Sequence, residues 1–279
     1  MIYNKICGIF GNPVSHSLSP LIHNHLFNKY NYNYEYEAFE IYDIETAVKL
    51  IRTEKMRGVS ITIPFKVKVI KYLDEITDLS KKIGAVNTII NENGKLIGDN
   101  TDAYGVSQTF KKRNIFLSGK NIVILGIGGA AKSVVYSILN DFDINSLKLI
   151  ARNNDKLIDF SKEILDKTGF NNITCMNFEN ETYSVEMEDD IIINASSAGM
   201  TPNINESLIN EKKSYYNNEK IFFDVIYNPE KTLMLKTAES KGSQIINGMD
   251  MFIYQAMRQH ILWTGNNKIK YEDISSILF

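Results

Sequence analysis

The segment from Asn121 to Ser133, NIVILGIGGAAKS, leaves the chain few architectures. Ile122 to Leu125 are four apolar residues in a row, the mark of a parallel strand buried on both faces. Gly126 follows at once, then Gly128, with Ala131 at the third small position. Helical apolar spacing continues through Val134, Val135, Ile138 and Leu139. Strand, glycine turn and helix in that order are the context of a dinucleotide-binding turn. Gly126 permits the sharp turn, Gly128 lets a pyrophosphate reach the backbone, and Ala131 lets the helix pack close on the strand. The helix N-terminus adds unpaired N–H groups and the positive end of its dipole. A plain βα turn in an α/β domain has the same letters.

Composition narrows the classes. A chain of 279 residues has length for about two domains. With 44% hydrophobic and 23% charged residues it can build a full core. The formal charge of −2 argues against a nucleic-acid or anionic-membrane partner. Cys7 and Cys175 lie far apart, without metal-type spacing; a disulfide is conceivable, but isolated thiols fit a reducing cytosol better. The opening MIYNKICGIFG holds too short an apolar run for a signal peptide, and no stretch approaches the length of a membrane span.

In chain order, Lys5 to Phe10 reads as a strand ended by Gly11. In GNPVSHSLSPLIHN, Ser19 before Pro20 predicts a hydroxyl N-cap with proline at the first helical position, and a helix to about Tyr30. Ser15 and Ser17, two apart in an extended loop, would converge near that helix start. Such a pair suits a carboxylate, although serines are also ordinary loop residues. His23 and His25 cannot share a helix face, and with no acidic or Cys partner nearby no metal site is expected there. Tyr34 to Phe39 alternates as a strand, and a helix from about Asp43 to Thr53 turns Ala47, Leu50 and Ile51 to one side. Gly58 to Ile63 is a third strand, with a helix expected to start around Pro64-Phe65-Lys66. Lys66 stands at that junction, a usual place for a site, although a solvated surface charge looks the same. Asn93-Gly94 signals a hairpin turn, and Asp102 is expected to open a helix through Phe110 as a favoured cap. Asn87 reads equally as a turn residue.

Residues 115–120 read as a linker into the glycine-turn strand. A second strand, Leu147 to Ile150, ends in Ala151-Arg152-Asn153. An NAD site would place an acidic residue there, whereas Arg152 suits a 2′-phosphate and so NADP. Lys156, one turn on, is a weaker attraction or a plain surface charge. A helix from Asp155 to about Lys167 follows. Later strands end in NASSAGM, Asn194 to Met200, and DVIYNP, Asp224 to Pro229, and a final apolar helix runs from Gly248 to Trp263. Gln255 is an uncharged polar residue within that helix.

These pieces together resemble the shikimate dehydrogenase family over nearly the whole chain. GNPVSHSLSP, SITIPFK, GAVNT, GDNTD, GIGGAAK, NASSAG, DVIYNP and NGMDMFIYQA stand in the family's order and spacing. The resemblance implies an α/β fold: a Rossmann-type NADP-binding domain over residues 103–247, and an α/β substrate domain over 1–102 with 248–279. It implies an active site in the cleft between them. It implies reversible reduction of 3-dehydroshikimate to shikimate with NADPH, by a cytoplasmic monomer or homodimer that takes a small-molecule substrate and no metal. Carried over by position, Lys66 and Asp102 match the catalytic pair. Ser15 and Ser17 match the carboxylate-binding hydroxyls, and Thr62, Asn87, Asp102, Tyr227 and Gln255 further substrate contacts. Gly126, Gly128, Gly129 and Ala130 match the phosphate turn, Arg152 the 2′-phosphate anchor, and Ser196, Ile226 and Gly248 other cofactor contacts. The family often reads Asn-Arg-Thr where this chain has Ala151-Arg152-Asn153.

The chemistry agrees with that assignment. Hydride delivery to a ketone builds negative charge on its oxygen, which a nearby ammonium stabilises and protonates. A quinate/shikimate dehydrogenase using NAD, and a non-catalytic dinucleotide-binding paralogue, are the alternatives.

Overall fold

The computed structural model describes residues 5–178 and 182–278. The chain divides into two compact units, Met1–Gly105 with Ile253–Phe279, and Val106–Phe252.

The first unit contains β1 (Lys5–Gly11), α1 (Ser19–Lys29), β2 (Tyr34–Glu40), α2 (Ile44–Thr53), β3 (Gly58–Ile61), β4 (Glu75–Ile76), α3 (Asp78–Ile83), β5 (Thr88–Glu92), β6 (Lys95–Asp99) and the start of α4 (Thr101–Lys112). Its sheet runs β2-β1-β3-β5-β6-β4. β1 is parallel to β2 and β3, whereas β5 is antiparallel to both β3 and β6. The carboxyl ends of β1, β3 and β6 and the amino end of β5 therefore share one edge. β1 feeds both faces, as its two-residue period requires. Phe10 joins Val48, Ile51 and Val59 on one side, and Cys7 and Ile9 join Phe27, Tyr36 and Trp263 on the other.

Several local expectations change. Ser19 does not cap α1. It is the buried first helical residue, and its N–H donates to Ser17 Oγ at 3.2 Å. Ser15 and His16 form a turn closed by Ser17 N–H to Val14 O at 3.1 Å, so the segment is not extended. The buried stripe of α2 is Ile44, Ala47, Val48 and Ile51, with Leu50 exposed and Asp43 capping Glu45 and Thr46. β3 stops at Ile61, and no α-helix starts at Pro64. Phe65 N–H closes a turn on Thr62 O at 2.9 Å, and only a 3-10 segment, Lys68–Tyr72, follows. Asp102 lies inside α4, whose first turn is capped by Asn100 Oδ1 accepting from Ala103 N at 3.2 Å.

The second unit contains β7 (Asn121–Leu125), α5 (Gly129–Asp141), β8 (Ser146–Ala151), α6 (Asn154–Thr168), β9 (Ile173–Asn177), β10 (Ile191–Asn194), β11 (Ile221–Asp224), α7 (Leu233–Ser240), β12 (Gln244–Ile246) and the start of α8 (Met249–Thr264). A last short helix, α9 (Glu272–Ser275), belongs to the first unit. The sheet order β12-β11-β10-β7-β8-β9 is parallel throughout. Counted from β7 this is 6-5-4-1-2-3, the doubly wound Rossmann order, whose strand order reverses between β7 and β10. β8 runs one residue past Ile150, to Ala151. Both thiols are free, Cys7 buried and Cys175 exposed. No helix among the described residues is long and apolar enough to cross a membrane.

Candidate active site

In the first unit, the segments at the shared strand edge bring a lysine, an aspartate and an asparagine together. Lys66 leaves the loop after β3, where its carbonyl accepts from Val86 N at 2.8 Å. Its Nζ lies 2.6 Å from Asp102 Oδ2, the side chains being 19% and 9% exposed. Asp102 sits in the first turn of α4, where the helix dipole favours a negative charge. Its other oxygen accepts from Asn87 Nδ2 at 2.8 Å. Asn87 Oδ1 takes Thr101 N–H at 2.8 Å and the Thr88 hydroxyl at 2.7 Å. The carboxylate is thus fixed on two sides, and an ammonium is held at a half-open position without free rotation. Such a group can stabilise an oxyanion and give up a proton.

The remaining expected contacts of this unit are less gathered. Thr62 is half-buried, and its methyl fills the space that a Cβ on Gly11 would need. Asn12 N–H donates to Ile63 O at 2.9 Å, tying the Ser15–Ser17 loop to the Thr62 loop. Ser15 is exposed, and the Ser17 hydroxyl accepts from the helix start. Gln255 is buried on α8 within the same unit. Tyr227 belongs to the second unit, stacked on Phe252 at 4.2 Å with its phenol pushed above the usual range by burial. Nothing local in the sequence marks Thr88 or Thr101 as a partner for Asn87.

The second unit holds the glycine turn. Gly126 has φ +110°, and a Cβ there would come 3.1 Å from Ala195 O. Gly128 has an extended backbone, and a Cβ on it would meet nothing within 4 Å. The start of α5 has no side-chain cap, which leaves the Gly129 and Ala130 amides for an anion. One glycine needed for conformation and one facing open space fit a pyrophosphate cradle. At the same strand edge, Asn194 Oδ1 accepts both N–H and hydroxyl of Ser196, at 3.1 and 2.6 Å. Asp224, raised to about 6 by burial, accepts from Ile226 N at 3.0 Å and Thr232 Oγ1 at 2.7 Å. Gly248 N–H donates to Ile226 O at 3.0 Å, and a Cβ on Gly248 would lie only 2.1 Å from Val225 O.

At the tip of β8 the sequence shows no acidic residue, but the fold supplies one. Arg152 Nη2 lies 2.8 Å from Glu206 Oε1, which comes from the loop after β10. A partner 54 positions away carries no sequence signal.

The shikimate dehydrogenase substrate binding domain model matches residues 9–89. A curated shikimate dehydrogenase (NADP(+)) of Alkaliphilus oremlandii is 40% identical over 263 residues, 93% of this chain and 91% of the relative. The chain belongs to the shikimate dehydrogenase family. A crystal structure of shikimate dehydrogenase in complex with NADP+ superposes with a TM-score of 0.88 at 34% identity, covering 99% of this chain and 96% of that one. Shikimate 5-dehydrogenase from Listeria monocytogenes, in complex with shikimate and NAD, gives 0.83 at 30% identity, with 99% and 96% covered. Against the family's Asn-Arg-Thr, Asn153 here caps α6 by accepting Lys156 N–H at 2.9 Å. An asparagine does the capping work of a threonine, so that departure leaves the helix start intact.

Proposed function

We propose that this chain catalyses the reversible reduction of 3-dehydroshikimate to shikimate with NADPH, in the shikimate route to aromatic amino acids. The observation that carries the reading is Lys66 Nζ held 2.6 Å from Asp102 on the loops of a family-matched edge. NADPH supplies the hydride when bound. Lys66 then stabilises the charge that grows on the carbonyl oxygen and delivers the proton. Asp102 holds the ammonium in place and accepts a hydrogen bond from a ring hydroxyl. Ser15 and Ser17 take the substrate carboxylate, and Thr62, Asn87, Tyr227 and Gln255 orient the ring. The first unit is the substrate domain, and the second the cofactor domain. There Gly126, Gly128, Gly129 and Ala130 hold the pyrophosphate, Arg152 the 2′-phosphate, and Ser196, Ile226 and Gly248 line the remaining cofactor path. Two free thiols, one of them exposed, suit a reducing cytoplasm. A formal charge of −2 argues against a nucleic-acid partner. We take the enzyme to work as a monomer or homodimer.

Turnover of shikimate and of quinate, each with NADP and with NAD, tests the reading. Shikimate with NADP is expected to give the highest kcat/KM. Equal or better turnover of quinate with NAD would replace it with the broader quinate/shikimate activity. No turnover of either would leave a binding protein.

A further inference from the structure

The Lys66–Asp102 pair is joined to the interior of the first unit by a buried series of side chains. Asp102 offers only acceptors, so Asn87 must turn its amide nitrogen, not its oxygen, toward the carboxylate. Asn87 Oδ1 then faces the Thr88 hydroxyl at 2.7 Å. That hydroxyl has a single hydrogen, and the shorter contact gives it to Asn87 Oδ1, Thr101 Oγ1 lying farther off at 3.2 Å. It accepts in turn from Gln259 Nε2, a donor, at 3.0 Å. Gln259 is itself held in one sense. Its Oε1 accepts from Ser60 Oγ at 2.9 Å and lies 3.3 Å from His23 Nε2. Ser60 in turn accepts from Tyr36 Oη at 2.7 Å, which leaves its one hydrogen for Gln259. From Tyr36 through Ser60, Gln259, Thr88 and Asn87, donors all point toward Asp102. Gln259 and Tyr36 are each 1% exposed, Thr88 0%, and Asn87 3%. In such a dry series a reversed hydroxyl or amide leaves a donor facing a donor, and the alternatives are costly.

We propose that Gln259, through Thr88 and Asn87, is a positioning residue that fixes the orientation of Asp102 and so of Lys66. The proposal rests on Lys66 and Asp102 being the catalytic pair. Gln259 lies one helical turn beyond Gln255 on α8 and touches no reacting group. Thr101 N–H also holds Asn87 Oδ1, at 2.8 Å, so losing the Thr88 hydrogen loosens the amide without freeing it.

The experiment compares Gln259→Met, Thr88→Val and Thr88→Ser with the wild-type enzyme in NADPH-dependent reduction of 3-dehydroshikimate. Gln259→Met and Thr88→Val are expected to lower kcat about 10-fold with both KM values nearly unchanged, since sub-ångström misplacement of a reacting group acts on the rate. Thr88→Ser keeps the hydroxyl and is expected to restore kcat to within about two-fold. A merely structural role would lower the Tm and leave kcat, measured well below it, where it was. Unchanged kcat in both folded variants overturns the proposal, as does a Thr88→Ser that is no better than Thr88→Val. Wild-type protein without turnover would instead remove the catalytic reading beneath it. Should the variants not fold, proton exchange at the Asn87 and Gln259 side-chain amides of the wild type decides. Slow exchange supports the series, and exchange at the solvent rate overturns it.

Discussion

An ammonium and a carboxylate 2.6 Å apart and mostly shielded from water form a stiff pair, because removing either strands the other charge. Arg152 and Glu206 are the opposite case. Their side chains are 65% and 36% exposed, and such pairs contribute about 0–1 kcal/mol. If Arg152 anchors the 2′-phosphate as proposed, Glu206 should yield to that phosphate, which carries more charge and accepts two guanidinium hydrogens. Its carboxylate should nonetheless stay close to the anion. With 2′,5′-ADP as the probe, Arg152→Ala is expected to weaken binding about 10- to 150-fold, the loss of one charge-assisted contact. Glu206→Gln is expected to tighten it about 2- to 5-fold. AMP, without the 2′-phosphate, should bind all three proteins alike. Titration calorimetry measures this, and an unchanged Kd in Arg152→Ala would show that the 2′-phosphate is read elsewhere. The sequence made Arg152 legible because arginine stands directly at a strand tip. Glu206 was illegible because only the parallel packing of β10 beside β7 brings its loop near β8.

At the scale of the element, the two turn glycines separate conformation from space. Gly126, at φ +110° against the Ala195 carbonyl, should not accept a side chain. Gly126→Ala is expected to destabilise the protein by about 1–3 kcal/mol. Gly128 has an extended backbone and open surroundings, so Gly128→Ala should cost under about 1 kcal/mol, the scale of a changed N-cap. It should still weaken NADP binding strongly, because the methyl occupies the approach to the backbone. Melting curves and NADP titrations check both, and normal NADP affinity in Gly128→Ala would contradict the cradle. This strand–turn–helix unit was legible because every residue in it acts on a near neighbour. The starts of α1 and the segment after Pro64 were not. Ser17 accepts the N–H of Ser19 itself, which lies inside the helix instead of capping it, and the Thr62–Lys66 turn is pinned by Val86, a residue of another segment. Propensity is a weak prior where tertiary contacts set the backbone.

Across the molecule, the first unit carries two buried histidines. His23 stacks on Tyr36 at 4.5 Å and is lowered to about 3, by burial first and His260 second. His260 is lowered to about 4 by burial, and neither ring nitrogen has a hydrogen-bond partner among the described residues. A histidine depressed on folding takes its proton in the unfolded chain first. Stability present above about pH 6.5 is therefore lost as the pH falls toward the folded value. For His260 that window runs down to about 4. His260→Phe keeps a ring beside Phe27 at 5.3 Å and removes two unsatisfied nitrogens. Its Tm should exceed the wild type's at pH 8, and by more at pH 5. An equal gain at both would show that protonation of His260 does not limit acid stability. The α/β class was legible from buried strands alternating with helices, and the candidate pair Lys66 and Asp102 from motifs at strand ends. Strand order and the buried Tyr36–Gln259 series were not, since both depend on residues distant in the chain. The central claim, that Lys66 is the proton donor of an NADPH-dependent ketone reduction, has one direct test. It is kcat for 3-dehydroshikimate in the wild type and in Lys66→Ala, with the Kd for NADPH measured beside it. The expected result is a kcat lower by about 10²–10⁴-fold, the range of a lost general acid, with NADPH binding unchanged. A variant with near-normal kcat, or one whose only loss is affinity for NADPH, would contradict it.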